Sequence, residues 1–517
     1  MSRALALPLV LALLAGCSRR EAAPDTAVVL ADRDVEGLDP HASGKVHTTQ
    51  EVLLDAYEGL VALDAHLAVV PALAASWSNP DDRTWEFQLR PDVRFHTGGT
   101  MTAADVAFSV ERARTEPGSV LKTSLVGVTG VEVVGPDLVR IRTKEADAYL
   151  LARLRDVFVV SRAAVKAAGA AAFDGTSCGT GPYRITGRVP GRHVDLERFD
   201  GYWGGPSVAP RARFVARMFG DPDWNEMVPQ GGRVAFWQMP ASPHFARARE
   251  FGRSERGPSL SIVYLGFDLR GPETPGVTLP DGSHGNPFLD RRVREAVSLA
   301  IDRGAFRREF AGEFGFPAGQ LVPPGVFGYD PSLPVPVRDV GRARDLLAGT
   351  PFAKGFEVEL DVRSLMERAG PAVARMLADA GIRASVSLLD EEDFFARLSS
   401  RRSSLYVLRF SCRTGDAQEV FDRWLHGKDP ATGLGEANYS YDVSPVEGLD
   451  ADIDDARRTI EPAERRTKLQ HVMRHAVEEK LMVPLFQYEE LTFVSPGLEW
   501  PSRFDSFRMA RDARFVP

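Results

Sequence analysis

The chain reads as an α/β protein, because helix and strand signals alternate along its length without repeats or long low-complexity tracts. Trp85-Glu86-Phe87-Gln88-Leu89-Arg90 alternates apolar and polar residues, as a strand with one buried face does. Thr102-Ala103-Ala104-Asp105 has the form of a capping box, and Val106, Val110 and Ala113 continue one helical stripe behind it. Residues 131–134 and 138–141 flank Gly135-Pro136-Asp137 and predict a hairpin.

At the N-terminus, Arg3 precedes an apolar run from 4 to 15 interrupted only by Pro8. Leu14-Ala15-Gly16-Cys17 and the polar Ser18-Arg19-Arg20 follow. A charged start, a short apolar stretch and small residues before a cut site predict a secretory signal over 1–16, too short to span a bilayer. The tetrad resembles the bacterial lipobox, in which the cysteine becomes the lipid-modified first residue, so Cys17 is the expected lipid attachment point. The alternative is an ordinary signal with a coincidental cysteine. Residues 17–26, polar and containing Pro24, read as a tether. No later stretch reaches the roughly 18 uninterrupted apolar residues of a membrane helix, so the body is expected to be soluble and held to a membrane by its lipid.

Removing residues 1–16 leaves 501 of 517 residues, enough for two or three domains, and the loss of Arg3 takes the net charge from −8 to −9. With an acidic balance and no basic run, nucleic acid is not an expected partner. Cys178 and Cys412 remain after acylation of Cys17. An oxidising compartment permits a bridge between them, and two buried small hydrophobes are the other reading.

Further along, Leu289, Val293, Val297, Ala300 and Ile301 are spaced three and four apart and mark a helix. Helices are also expected at 371–380 and 462–480. Gly/Pro-rich stretches at 204–210 and 271–287 read as surface connections. The proline-rich stretch 317–336 reads as an extended segment laid over a domain surface.

Signatures of catalysis are missing: there is no G-x-S-x-G elbow, no H-E-x-x-H and no C-x-x-C. Gly44-Lys45 is followed by Val46 rather than a hydroxyl residue, so it is not a P-loop. His471 and His475 stand four apart on a predicted helix and could share a metal. No third ligand lies near them in sequence, so a solvated helix face is the expected reading. No catalytic residue, metal or cofactor is assigned.

Several blocks then match one family. Leu38-Asp39-Pro40-His41 is followed by Tyr57-Glu58-Gly59-Leu60-Val61 and by Val70-Pro71-Ala72-Leu73-Ala74-Ala75-Ser76-Trp77. Next stand Val93-Arg94-Phe95-His96-Thr97-Gly98, Gly179-Thr180-Gly181-Pro182-Tyr183 and Asp200-Gly201-Tyr202-Trp203-Gly204. Arg292-Val293-Arg294-Glu295-Ala296, ending in Ala300-Ile301-Asp302-Arg303, completes the set. In order and spacing the chain resembles the extracellular solute-binding proteins of the peptide, dipeptide and nickel group of ABC transporters, from about residue 28 onward.

The resemblance implies a periplasmic-binding-protein fold of type II, two lobes joined by a hinge, with an extra α/β domain. It places 27–62, 178–262 and 488–517 in the first lobe, 63–177 in the extra domain and 263–487 in the second lobe. The implied function is capture of a small solute, a peptide above all, in the interlobe cleft and delivery to an ABC permease at the extracytoplasmic face. A metal chelate, opine or sugar receptor on the same fold is the alternative, and an exported hydrolase a more distant one.

In peptide-binding relatives a loop of the second lobe carries an aspartate that receives the ligand's α-amino group. Arg413-Thr414-Gly415-Asp416 resembles that loop, which makes Asp416 the expected amine site. Many relatives have an aromatic residue where Arg413 stands, and an arginine there could fork onto a carboxylate or phosphate, or form a surface ion pair. Trp237, in Phe236-Trp237-Gln238-Met239, is expected either at the cleft or in a core. His41 is a further candidate, on a loop of the first lobe. Gly179 and Gly181 are expected to supply positive φ, Tyr183 and Tyr202-Trp203 to anchor packing, and His96 to be structural.

Overall fold

The computed structural model describes residues 25–31, 33–44, 46–169, 173, 177–216, 233–237 and 252–516. Cys17 lies outside the described residues, as do the side chain of Trp237 and the neighbouring Gln238-Met239.

Two long strands organise the molecule. Arg253–Phe267 and Met482–Val494 run antiparallel down the centre of a sheet that, among the described residues, has twelve strands. On one side stand Leu405–Ser411, Phe356–Arg363, Ile382–Leu389 and Val277–Thr278, and the short Phe316–Pro317 pairs with Met482–Val494. On the other stand Arg233–Trp237, Thr26–Ala31, Arg211–Ala216, His193–Arg198 and Tyr183–Val189. The first half of Arg253–Phe267 pairs with 489–494, and its second half with both 482–487 and Leu405–Ser411.

The register between the two long strands breaks between Pro258 and Ile262. Pro258 has no N–H to give the ladder, and an irregularity there bends and twists both strands. Gln487 Nε2 donates to the Ser259 carbonyl at 2.9 Å and holds the bend. This break lies between two halves that each have their own core. One core gathers residues from Leu260 to Tyr488, and another Ala27, Val29, Leu53, Tyr57, Tyr183, Phe214 and Trp500. A third core, from Leu60 to Val159, lies under the antiparallel sheet Ala74–Asp81, Thr84–Leu89, Leu138–Thr143 and Val128–Val133.

The predicted local elements are present. Asp105 Oδ2 takes the Thr102 amide at 3.0 Å and its hydroxyl at 2.6 Å, starting the helix Ala103–Thr115. The later helices run Ala369–Ala378 and Pro462–Glu478. Leu289 is an exception: it is exposed, in a short turn before Arg291–Ala300, where Asp290 caps the helix. The stretch 317–336 also differs from expectation. Ala318, Leu321, Val322, Val326 and Asp330 are buried, and Tyr329 and Asp330 are tied to Gln470 and Arg474 of the helix behind. Proline fixes an extended path there, and the apolar residues between the prolines sink into the core.

Three of the motif blocks turn out to be one knot. The buried Glu58 carboxylate accepts from Thr180 Oγ1 at 2.9 Å, Tyr202 Oη at 2.9 Å and Trp203 Nε1 at 3.0 Å. Burial pushes its pKa up. Gly179 and Gly181 do not have positive φ; they are glycines because the backbone passes too close. A Cβ on Gly179 would lie 2.1 Å from the Ala56 carbonyl oxygen, and one on Gly181 2.5 Å from that of Asp55. His96 joins the same crossing, its Nε2 2.9 Å from the Gly181 carbonyl oxygen and its Nδ1 2.8 Å from Ser177 Oγ. Cys178 and Cys412 are free and buried in different cores, so they pack as small hydrophobes.

Candidate functional site

In the second half of the molecule Phe356–Arg363 is parallel to both Ile382–Leu389 and Leu405–Ser411, so the three strands share one carboxyl edge. In open α/β sheets that edge is where ligands are held, because loops there are free of the packing that the strands must satisfy. Arg363 ends the first strand, Asp390-Glu391 follows the second, and Arg413 to Asp416 follows the third. Across from them Thr26–Ala31 is parallel to Arg211–Ala216 and Arg233–Trp237, with Arg33 just beyond its carboxyl end. The two edges meet: Arg33 Nη2 lies 2.9 Å from Glu391 Oε2, and the same oxygen takes Arg363 Nη2 at 2.7 Å.

Three arginines, Arg363, Arg409 and Arg413, stand at or near this edge. The Arg363 guanidinium is largely buried, and its Nε has no hydrogen-bond partner among the described residues. Arg409 lies over the Tyr488 ring, 5.5 Å from its centroid, with no carboxylate partner among the described residues. Arg413 is half-buried, and among the described residues nothing accepts from its guanidinium. Burial pushes the pKa of both Arg363 and Arg413 down, while Glu391 beside the first and Glu419 beside the second oppose the shift. Desolvation disfavours the charged form of a cation, and an anion beside it offsets that.

Asp416 does not have the free carboxylate expected of an amine site. Its Oδ2 takes Arg465 Nη1 at 2.6 Å, and its Oδ1 takes Arg465 Nη2 at 3.0 Å and the Gln418 amide at 2.9 Å. The arginine fork has taken the place expected for a ligand ammonium. The loop itself is stapled to the domain before it: Arg155 Nη1 donates to the Arg413 carbonyl at 3.0 Å, and Tyr149 Oη to Thr414 Oγ1 at 3.2 Å. Fixing the Arg413 backbone in this way leaves its side chain as the free element.

His41 is not at the edge. It is fully buried, Nδ1 accepting from Arg112 Nη1 at 2.9 Å and Nε2 donating to the Phe158 carbonyl at 2.8 Å. Burial, with the Arg112 charge beside it, pushes its pKa down to about 4, so it is a neutral structural residue. Trp237 ends the strand Arg233–Trp237, opposite Thr492, on the carboxyl edge of the first half. Sequence reading missed Arg33, Arg363, Arg409, Glu391 and Arg465. A lone arginine in the apolar run Leu405-Tyr406-Val407-Leu408-Arg409-Phe410 was the signal available for one of them.

Two lobes on a shared pair of long strands, facing each other across carboxyl edges that carry Arg33, Arg363 and Arg413, have the layout of a receptor for a small solute. Comparison with known proteins agrees. The model of the bacterial extracellular solute-binding proteins, family 5 (middle), matches residues 68–432, and the chain belongs to that family. The glutathione-binding protein GsiB of Shigella dysenteriae serotype 1 is 25% identical over 498 residues, covering 93% of this chain and 92% of that one. A dipeptide binding protein from Pseudoalteromonas sp. SM9913, solved with Met-Leu, has a TM-score of 0.76 at 18% identity, covering 95% and 100% of the two chains. AgaA of A. tumefacien R10, solved with agropinic acid, has a TM-score of 0.72 at 21% identity, covering 95% and 99%. The fold is therefore the type II periplasmic-binding-protein fold, and the chain captures substrate for an ABC importer. These relatives are described as binding proteins. Among the described residues no helix is long and apolar enough to cross a membrane.

Proposed function

We propose that this receptor captures a small peptide-like or opine-like acid, recognised through its anionic groups by Arg413, Arg409 and Arg363. Arg413 carries the reading, because a half-buried guanidinium without a partner among the described residues is stabilised by a ligand carboxylate. Neutral solutes would leave the Arg413 guanidinium without an anionic partner when the lobes exclude water. With Asp416 engaged by Arg465, a free α-amine loses its expected acceptor, which favours recognition through acid groups over recognition through the amine. Glutathione-binding and agropinic-acid-binding relatives support this ligand class. The proposal includes export, cleavage before Cys17 and lipid anchoring there, with an ABC permease as partner and no bound cofactor.

Native mass spectrometry of the freshly purified protein identifies the copurifying solute, and calorimetry then measures its affinity. Arg413→Ala and Arg363→Ala should each weaken an acidic ligand by about ten- to a hundredfold, the worth of a charge-assisted hydrogen bond. A copurifying neutral sugar, or an acid bound within about threefold of wild type by both variants, refutes the assignment.

A further inference from the structure

We propose a second ligand site, for a zinc-class divalent metal ion, at Asp452, His471 and His475. The helix Pro462–Glu478 carries the two histidines one turn apart on one face. The helix Leu449–Arg458, packed against it, supplies from its first turn the third donor that sequence spacing could not show. Asp452 Oδ2 lies 3.4 Å from His471 Nε2 and 3.8 Å from His475 Nδ1. The donor atoms of the three residues all lie within 4.8 Å of one another.

Bonds of about 2.0–2.1 Å around a tetrahedral ion put neighbouring donors about 3.3 Å apart. The Asp452–His471 edge is already near that length, the Asp452–His475 edge needs a contraction of about half an ångström, and the edge between the two histidines, within 4.8 Å, closes by rotation of the exposed His471 ring. Two imidazole nitrogens and one carboxylate oxygen suit zinc and leave a fourth position for water, whereas magnesium and calcium prefer all-oxygen sets.

A solvated helix face with incidental histidine–carboxylate neighbours is the competing reading, and His475 argues against it. Its Nδ1 is shielded from water and has no hydrogen-bond partner among the described residues, although a carboxylate oxygen stands beside it. At 3.8 Å the pair is too far apart for a hydrogen bond, so the Nδ1 lone pair remains available to a metal ion. Lys468, on the same helix, does not compete, since its Nζ is bound at 2.9 Å by both Asp455 and Glu464. His471 is more than half exposed and gives the ion a way in. Bound metal would staple the two helices together, so the second lobe would be more stable with the ion than without it.

The test uses tag-free chain stripped with chelator and titrated with zinc chloride in a calorimeter, with a thermal melt of each sample. The parent should bind one equivalent more than His475→Gln and melt higher with zinc than without it. His471→Gln and Asp452→Asn should each weaken that equivalent by at least about ten- to a hundredfold, and magnesium should not occupy it. Circular dichroism without metal should show all variants folded, since the three side chains are partly exposed. Equal zinc stoichiometry and affinity in parent and His475→Gln, or a parent that binds no zinc, overturns the site. The folded variants His471→Gln and Asp452→Asn decide the matter if His475→Gln fails to fold.

Discussion

Replacing Asp416 by alanine separates a structural carboxylate from a ligand-binding one. The Arg465 side chain is only 6% exposed and that of Asp416 12%, so the variant leaves a guanidinium buried without its counter-charge. Breaking one side of a buried pair costs about 3–5 kcal/mol, and loss of the Gln418 amide acceptor adds about 1 kcal/mol. Asp416→Asn keeps an oxygen for that amide and should recover about the smaller share only. Replacing both partners by apolar residues of similar size, Asp416→Leu with Arg465→Met, removes the charge together with its partner. That double variant should lie within about 1–2 kcal/mol of wild type or above it. Urea unfolding followed by circular dichroism gives the four stabilities, and calorimetry gives the ligand affinity of each folded variant. The reasoning is refuted if Asp416→Ala unfolds within about 1 kcal/mol of wild type yet no longer binds an amine-bearing ligand. In that case the arginine fork is a placeholder that the ligand amine displaces.

Three further outcomes are expected. Burial holds the pKa of His96 at about 4, below the 6.5 of a free imidazole, so its contribution is present above pH 6.5 and lost as pH falls toward 4. The stability difference between wild type and His96→Gln should therefore shrink by up to about 3 kcal/mol across that window, and a pH-independent difference in urea titrations contradicts it. Arg33→Ala removes an interlobe pair about half exposed on both sides, so it should cost less than about 1 kcal/mol of stability. It should nevertheless enlarge the radius of gyration in small-angle scattering by favouring the open form, and an unchanged scattering profile argues against the pair as a latch. Cys17→Ala should leave the membrane fraction or stall unprocessed, and normal processing with unchanged membrane association counts against acylation at this residue.

Much of the fold was legible because its signals are local. A capping box such as Thr102 to Asp105 depends on atoms within one turn, and the alternation in Thr84–Leu89 depends only on which face is buried. Motif order carried the family for a similar reason, since Tyr57 to Leu60, Gly179 to Tyr183 and Asp200 to Trp203 are pieces of one knot around Glu58. What sequence could not decide was the partner each charged residue would find. Asp416 meets Arg465 across 49 positions, Arg33 meets Glu391 across 358, and Asp452 meets two histidines from a neighbouring helix. Period and composition are silent about such pairs, because chain proximity has no bearing on them and only the packing of lobes and helices brings them together. The same holds for the glycines at 179 and 181, whose need is set by the backbone at Asp55 and Ala56 rather than by their own dihedrals. Sequence by itself therefore determined the class of molecule. Tertiary structure decided which of its charges meet a partner among the described residues and which do not.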